Sequence, residues 1–309
     1  MAEPRLIQDI VAAAVAKPRS VVVGESAAFL HELARTTPRL RLHKHSSIDL
    51  GFTYAKHYAV SDRRLARSLA FRRISTGEEE RAVRIRSYYG SVRVASIPDT
   101  CFQLTKWVGL EEACVAAEYA LHRQIVTLAE FDRAGFTTRK GAARYRQLRN
   151  LVTPWAESPR ESELKLAMWR AGLPAPCQQV SIYEPGARRF LGRVDFMFPC
   201  GLIIEYDGAS KYREPVFDID GNYQGEETIA AELSRQKRIA LYGYEFLRID
   251  HAAFTDGMGV KAIADRLDWL RQYPRDNRRW LWKAKGKAWK EPGDAGWLNP
   301  GGVPQQSES

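Results

Sequence analysis

The stretch GRVDFMFPCGLIIEYDGASKY, residues 192–212, decides the fold of the second half of the chain. Two runs of strand-forming residues flank a Pro-Cys-Gly turn, and this pattern predicts an antiparallel β-hairpin. With the turn centred on Cys200, the fifth residue before it, Asp195, lies directly opposite the fifth residue after it, Glu205. A shift of the register by one residue would break this opposition, so the prediction depends on the turn.

Strand alternation places a third acid, Asp207, on the same face of the hairpin as Glu205. The other face collects residues that can pack in a core: Val194, Phe196, Phe198, Leu202, Ile204 and Tyr206. Like charges at opposed strand positions repel unless a positive charge lies between them. Hard cations such as Mg²⁺ bind carboxylate oxygens of this kind. The spacing leaves an alternative open, in which an exposed acidic face is paired with Arg193 or Lys211.

The composition indicates a globular protein with an anionic partner. The chain has 309 residues, of which 45% are hydrophobic and 27% charged, and its formal net charge is +10. This length allows two domains with a sizeable core. The excess of positive charge favours nucleic acid as the partner, with an acidic membrane surface as the lesser candidate. A basic surface that only meets solvent is the simpler alternative.

The cysteines and the N-terminal segment exclude several other classes of protein. The four cysteines form no Cys-x-x-Cys pair, so we expect no zinc site: Cys101, Cys114, Cys177 and Cys200. The segment MAEPRLIQDIVAAAVAKPRS carries acids among its apolar residues, and its uninterrupted apolar run is too short for a signal peptide or a membrane span. We therefore expect a cytoplasmic protein with reduced thiols and no membrane contact.

The order of the predicted elements indicates an α/β (α+β) fold. After a boundary near Pro154, the pattern predicts a short mixed sheet flanked by helices. The elements are a helix, three strands, a helix and a strand at 158–171, 178–183, 190–197, 202–207, 226–241 and 244–249. Four segments are expected: a mixed helix and small-sheet region (1–97), a helical connector (98–154), the α/β domain (155–258) and a basic, Trp- and Lys-rich helical tail with a disordered end (259–309).

Two capping boxes mark predicted helix starts. Thr127 is followed three residues later by Glu130, and Ser158 is followed in the same way by Glu161. The simplest role of Glu161 is therefore to bind its own helix terminus. A carboxylate at a helix start can also face a neighbouring site, and the sequence leaves both roles open.

The order of the acids in the second half of the chain resembles the PD-(D/E)XK nuclease superfamily. The matching residues are Glu161 on a leading helix, Asp195, and the run from Glu205 to Gly208, followed by a helix and the strand YEFLRI. The likeness covers roughly 155–255 and is greatest to the very-short-patch-repair-like endonuclease domain of unknown function found in many bacterial proteins. It implies a restriction-endonuclease-like fold.

This resemblance implies Mg²⁺-dependent hydrolysis of DNA phosphodiester bonds, with Mn²⁺ as a substitute cation. The implied metal ligands are Glu161, Asp195 and Glu205. Asp207 stands where the superfamily usually carries a lysine, and Lys211 would supply the positive charge instead. The implied catalytic residues are thus Asp195, Glu205, Asp207 and Lys211.

The chain departs from this family pattern at several positions. Many relatives carry acids in the later helix, where this chain has Gln236 and Lys237, and the zinc-binding cysteines of the repair endonuclease are missing. These departures leave open a function of another class, a DNA-binding regulator or antitoxin whose nuclease-like domain does not cut. Upstream, VVVGESAAFLHEL and the region from SIPDTCFQLTKW to EEACVAAEYAL resemble an AbiEi-type antitoxin-like segment. That likeness implies a setting in bacterial or phage defence, a toxin–antitoxin system or a mobile element.

A basic segment near the C-terminus is the candidate nucleic-acid surface. Cationic side chains attract phosphates and tryptophans can stack on bases, so we expect contacts with DNA, more with double-stranded than single-stranded DNA. The candidate residues in this segment are Arg278, Arg279, Trp280, Lys283, Lys285 and Lys287, and Lys237 of the predicted helix 226–241 is a further candidate. The alternative is that the tryptophans pack against their own domain. The sequence also leaves open whether the protein forms a homodimer and whether it binds a toxin or antitoxin partner.

Overall fold

The computed structural model divides into two compact units, Met1–Glu163 and Leu164–Ser309. It describes residues 4–36, 47–53, 69–136, 141–207, 225–274 and 280–291. Lys211, Arg278 and Arg279 therefore lie outside the described residues. Mixed helices and sheets in both units confirm the predicted α/β class.

The first unit is built around a five-stranded mixed sheet in the order β3-β2-β1-β5-β4. Its strands are β1 (Val21–Val22), β2 (Ile48–Phe52), β3 (Leu69–Arg73), β4 (Val83–Ser87) and β5 (Gly90–Val94). Its helices are α1 (Pro4–Val15), α2 (Gly24–Leu30), α3 (Thr76–Glu80), α4 (Ile97–Trp107), α5 (Leu110–His122), α6 (Leu128–Phe136) and α7 (Ala142–Leu151). The apolar faces of the sheet and of α1 and α2 share one core.

The second unit contains a six-stranded sheet in the order β11-β10-β6-β7-β8-β9. The strands are β6 (Cys177–Tyr183), β7 (Phe190–Met197), β8 (Leu202–Asp207), β9 (Glu245–Asp250), β10 (Leu281–Lys283) and β11 (Trp289–Lys290). The helices are α8 (Pro159–Arg170), which crosses the division between the units, α9 (Gly225–Ala240), α10 (His251–Thr255) and α11 (Met258–Gln272). Neighbouring strands are antiparallel except β8 and β9, which run parallel.

The register of the β7–β8 hairpin is the one that the sequence predicts. Phe196 pairs with Ile204 and Met197 pairs with Ile203, so the turn is centred on Cys200. Phe196 and Ile204 are fully buried, as expected for the apolar face of the hairpin. The turn ends at Gly201, whose φ of +83° favours a glycine.

Trp280 packs directly beneath this turn. A Cβ placed on Gly201 would overlap the indole ring, which leaves no room for any other residue there. The indole Nε1 donates to the Tyr242 carbonyl oxygen at 2.8 Å, and the ring stacks on Tyr244 with centroids 4.9 Å apart. Trp280 and Trp282 are among the largest fully buried side chains, so both belong to the core of the second unit.

Two boundaries differ from the sequence-based expectation. The units divide between Glu163 and Leu164, because the start of α8 is held by the first unit while Leu164 and Met168 pack in the second core. Residues 1–97 and 98–154 belong to the same unit. The described tail is helical only as far as Gln272, and its later part contains β10 and β11, which extend the sheet beyond β6. The expectation of a helical tail is wrong for 281–290.

Candidate functional site

Asp195 lies on β7 beside the strand that carries the other two acids. Phe196 of β7 pairs with Ile204 of β8, and Asp195 is the residue before Phe196. The carboxylate oxygen Oδ2 of Asp195 accepts a hydrogen bond from the backbone N–H of Tyr206 at 3.3 Å. This bond holds the Asp195 carboxylate next to the backbone that follows Glu205.

Glu205 lies between two guanidinium groups. Its Oε1 accepts from Arg235 Nη2 at 2.7 Å, and its Oε2 accepts from Arg248 Nη2 at 3.2 Å. The Arg248 contact follows from the parallel register of β8 and β9, in which Glu205 is the partner of Arg248. Both oxygens of the predicted metal ligand are therefore bonded to arginines in this conformation.

A second acid, Glu232 on α9, binds the same two arginines. Arg235 donates to it through Nε at 2.7 Å and Nη2 at 2.5 Å, and Arg248 Nη2 donates to it at 2.7 Å. The hydrogen bonds from Arg235 are the main reason why the pKa of Glu232 lies below its usual value. The same bonds to Glu232 raise the pKa of Arg235, so both groups stay charged near neutral pH.

The side chain of Arg235 is fixed by the backbone around it. Its Nη1 donates to the Arg193 carbonyl oxygen at 3.0 Å, and its stem passes within about 3 Å of where a Cβ on Gly192 would lie. A larger residue at Gly192 would displace the stem. The guanidinium also lies over the Phe246 ring, 6.0 Å from the centroid. These contacts bring the guanidinium to Glu205.

Asp207 lies at the end of β8 and contacts the same cluster. Its Oδ2 is 3.6 Å from Arg248 Nη1, and the side chain is 25% exposed. The structure therefore places Asp207, Glu205 and Glu232 around Arg248. We call Asp195, Glu205, Asp207, Glu232, Arg235 and Arg248 the acid–arginine cluster.

Glu161 forms the predicted capping box at the start of α8. Its Oε1 accepts from the Ser158 hydroxyl at 2.8 Å, its Oε2 accepts from the Glu157 N–H at 3.0 Å, and its own N–H donates to Ser158 Oγ. The side chain is buried and lies in the first unit. The helix-capping role is thus present. The second predicted capping box, formed by Thr127 and Glu130, is present as well.

The predicted nucleic-acid residues fall into two groups. The lysines are exposed on α9 and around β10: Lys237, Lys283, Lys285 and Lys287. Lys283 Nζ lies 5.5 Å from the centroid of the Trp289 ring. Trp280 is only 1% exposed and is part of the core, which is the alternative that the sequence left open. A base cannot stack on a ring that is packed on both sides.

The donor set of the acid–arginine cluster fits a hard cation. Asp195, Glu205, Asp207 and Glu232 supply only oxygen ligands, the kind that Mg²⁺ and Mn²⁺ prefer. Within the cluster these four carboxylates accompany two guanidinium groups, so acid exceeds base by two charges. In the described part of the chain no group of three or more His, Cys, Asp or Glu side chains is arranged as metal ligands. A cation at Glu205 would have to replace its guanidinium contacts.

Three residues of the cluster are not among the site residues that the sequence predicts: Glu232, Arg235 and Arg248. Glu232 and Arg235 are three residues apart on a predicted helix, a spacing at which opposite charges pair. Arg248 is the only basic residue in the strand Glu245–Asp250. Pairing β8 with β9 in parallel would have placed Arg248 beside Glu205.

Comparison of the chain with protein-family models, with curated proteins and with solved structures found no match. Among the described residues no helix has both the length and the apolar character needed to cross a membrane.

Acid titration of the cluster gives a direct test of its geometry. The pKa of Glu232 is below its usual value of 4.5, so its bonds stabilise the fold above about pH 4.5. Between pH 4.5 and the lowered pKa of Glu232, the unfolded chain binds the proton and the folded chain does not. The stabilisation is therefore lost as the pH falls through this lowered pKa. We expect Glu232→Gln to make the free energy of unfolding less dependent on pH below 4.5.

Urea denaturation at a series of acidic pH values measures this effect. Asp265→Asn is the control, because it removes an exposed ion pair with Lys261 on α11 and leaves the cluster intact. An identical pH dependence in wild type and Glu232→Gln would contradict the bonding of Glu232 to the two arginines.

Proposed function

We propose that the second unit is a metal-dependent endonuclease that hydrolyses phosphodiester bonds of DNA. The observation that carries the proposal is the position of the two central acids. Asp195 and Glu205 lie on adjacent antiparallel strands, and the Asp195 carboxylate is bonded to the N–H of the residue after Glu205. A bacterial or phage defence system, a toxin–antitoxin system or a mobile element is the proposed setting.

The order of the elements supports this proposal. A leading helix, three antiparallel strands, a helix and a strand parallel to the third follow each other as α8, β6, β7, β8, α9 and β9. This is the order on which the resemblance to the PD-(D/E)XK superfamily depends. The acids also occupy the strands that the resemblance requires, with Asp195 on β7 and Glu205 on β8.

Asp195 and Glu205 would hold Mg²⁺, with Asp207 at the edge of the same group. When bound, the cation would activate a water molecule and stabilise the charge that develops on the phosphate. Arg248 contacts both Glu205 and Asp207, and Arg235 contacts Glu205. These guanidinium groups are suited to bind phosphate oxygens, because their planar donors match that geometry. Arg235 and Arg248 would thus orient the DNA strand.

One observation favours the second candidate function, a DNA-binding regulator that does not cut. Both carboxylate oxygens of Glu205 already accept hydrogen bonds from arginines. A fully paired acid–arginine cluster can act purely as an ion-pair network that joins α9 to β8 and β9. In that case the acids stabilise the fold and DNA binding depends on basic surfaces elsewhere.

A cleavage assay separates the two functions. Supercoiled plasmid and single-stranded DNA are incubated with the full chain in Mg²⁺, in Mn²⁺ and in EDTA. We expect cleavage of the duplex with either cation and none in EDTA. Absence of cleavage on every substrate, together with absence of Mg²⁺ binding in calorimetry, would reject the nuclease and favour the regulator. Cleavage that persists in EDTA would reject the metal-dependent mechanism.

A further inference from the structure

The hairpin formed by β4 and β5 in the first unit has one apolar and one basic face. Its sequence, VRIRSYYGSVRV from Val83 to Val94, alternates basic and apolar residues. Ile85, Val92 and Val94 pack against the core of the first unit. The opposite face carries four polar residues: Arg84, Arg86, Ser91 and Arg93. This basic face lies on the side of the hairpin away from the core.

Positive charge on the basic face exceeds the acid available to it. The register places Arg84 directly opposite Arg93, and like charges at opposed strand positions are destabilising. Arg93 is paired with Glu79 at 3.2 Å. Arg84 and Arg86 are exposed, and no carboxylate of the described residues forms a salt bridge with either. An anion from outside the chain would supply the partner that Arg84 and Arg86 lack among the described residues.

The tip of the hairpin presents an aromatic side chain on a well-defined turn. Tyr88 is 97% exposed, and its ring meets that of Tyr89 edge to face with centroids 5.4 Å apart. Ser87 Oγ donates to the Gly90 carbonyl oxygen at 3.1 Å and accepts from the Tyr89 N–H at 3.2 Å. The side chain of Ser87 therefore holds the turn that carries Tyr88. A large aromatic ring exposed in this way is typical of a contact surface.

We propose that the basic face of the β4–β5 hairpin binds duplex DNA. Arg84 and Arg86 contact backbone phosphates, and Tyr88 contacts the same duplex from the tip. Within the described residues β1 pairs only with Val94 of the hairpin, so the rest of the hairpin is a two-stranded ribbon, an element that the major groove of DNA admits. This inference rests on the proposed DNA partner, and it holds whether or not the cluster cuts DNA. The acid–arginine cluster has more acid than base, so its net charge does not attract DNA. A cationic surface apart from the cluster would add affinity, and the basic face of the hairpin is such a surface.

A simpler role for the same arginines is protection of a sheet edge. β4 is the last strand of its sheet, and charged side chains on such strands prevent pairing with other chains. This role predicts that DNA affinity does not depend on Arg84 or Arg86. The two roles can therefore be separated by binding measurements.

Fluorescence anisotropy of a labelled duplex in EDTA measures binding without cleavage. We expect Arg84→Gln/Arg86→Gln to weaken binding about tenfold or more and to reduce the salt slope of log K by about two. The control Arg19→Gln/Arg123→Gln removes the same charge from exposed positions outside the hairpin and should change affinity by about twofold at most. Tyr88→Ala should weaken binding without changing the salt slope, because it removes no charge.

Three results would overturn the proposal. These are unchanged affinity in the hairpin double variant, equal losses in the hairpin and control variants, and a preference for the single strand over the duplex. Thermal unfolding of each variant shows whether a loss of binding reflects a loss of fold. A protein that binds through the hairpin but cleaves nothing would reject the nuclease alone, so the two proposals fail separately.

Discussion

Asp195→Asn is expected to lower the rate of metal-dependent DNA cleavage by about 10³-fold and to leave DNA affinity within about twofold. Asparagine retains an oxygen that can accept the Tyr206 N–H, so the local fold is preserved. The substitution removes the negative charge that would bind the cation. The change thus separates the chemical role of the carboxylate from its structural role.

Glu205→Gln is expected to reduce cleavage by a similar factor, but with a structural effect as well. Glu205 accepts from Arg235 and Arg248, and its loss leaves both guanidinium groups with one acid fewer. We therefore expect a measurable decrease in the free energy of unfolding for Glu205→Gln and little change for Asp195→Asn. Comparing the two variants distinguishes a lost ligand from a disturbed ion-pair network.

Asp265→Asn is the matched control for both substitutions. It replaces an acid that is 64% exposed on α11 and paired only at the surface with Lys261. Cleavage rates and Mg²⁺ binding by calorimetry are measured for all three variants and the wild type. Full cleavage in both Asp195→Asn and Glu205→Gln would show that neither acid holds the catalytic metal.

Gly201→Ala is expected to destabilise the second unit by about 4 kcal/mol, a larger loss than we expect for either acid substitution. Two costs combine at this position. The backbone has a φ of +83°, which an alanine adopts with strain, and the new Cβ would overlap the Trp280 ring. Because Trp280 is packed on Tyr244 and bonded to Tyr242, it cannot simply move away.

Gly172→Ala isolates the first of these two costs. Gly172 has a φ of +73°, but no atom lies within 4 Å of the position that a methyl group would take there, so only backbone strain is added. We expect a loss of about 1 kcal/mol for this control. Urea unfolding followed by tryptophan fluorescence measures both variants, since most of the tryptophans lie in the second unit.

A double-mutant cycle with Trp280→Leu tests the contact itself. The smaller side chain makes room for the new methyl group, so Gly201→Ala should cost less in this background than in the wild type. Strictly additive losses of free energy would show that the Trp280 contact is not the reason why this turn requires a glycine at position 201.

The sequence was sufficient for the hairpin because several local signals agree there. Period-2 alternation, the Pro-Cys-Gly turn and an apolar face all require the same register, and β7 and β8 have the predicted bounds. The placement of Asp195 and Glu205 on the two adjacent strands of the hairpin needs only this local information. The binding of a catalytic metal, the catalytic role of Lys211 and the contacts of the lysines with DNA stay predictions.

The acid–arginine cluster could not be predicted in the same way because it depends on long-range placement. Arg235 reaches Glu205 only because α9 packs where its stem crosses Gly192, and Arg248 does so through the parallel pairing of β8 and β9. The tail differs from the expectation for another reason. Its basic, Trp-rich composition predicts a helix, whereas the alternation of buried Trp282 and Ala284 with exposed Lys283 and Lys285 is the signal of a strand.

The pairing of β10 with β6 has a consequence for synthesis of the protein on the ribosome. Tyr183 of β6 pairs with Leu281 of β10, so β6 lacks this neighbouring strand until roughly a hundred further residues have been synthesised. Until Trp280 and Trp282 emerge, the nascent β6–β8 sheet exposes the apolar surface that these residues later cover. Chains that terminate prematurely after α11 should therefore aggregate or be degraded, although they contain every residue of the acid–arginine cluster.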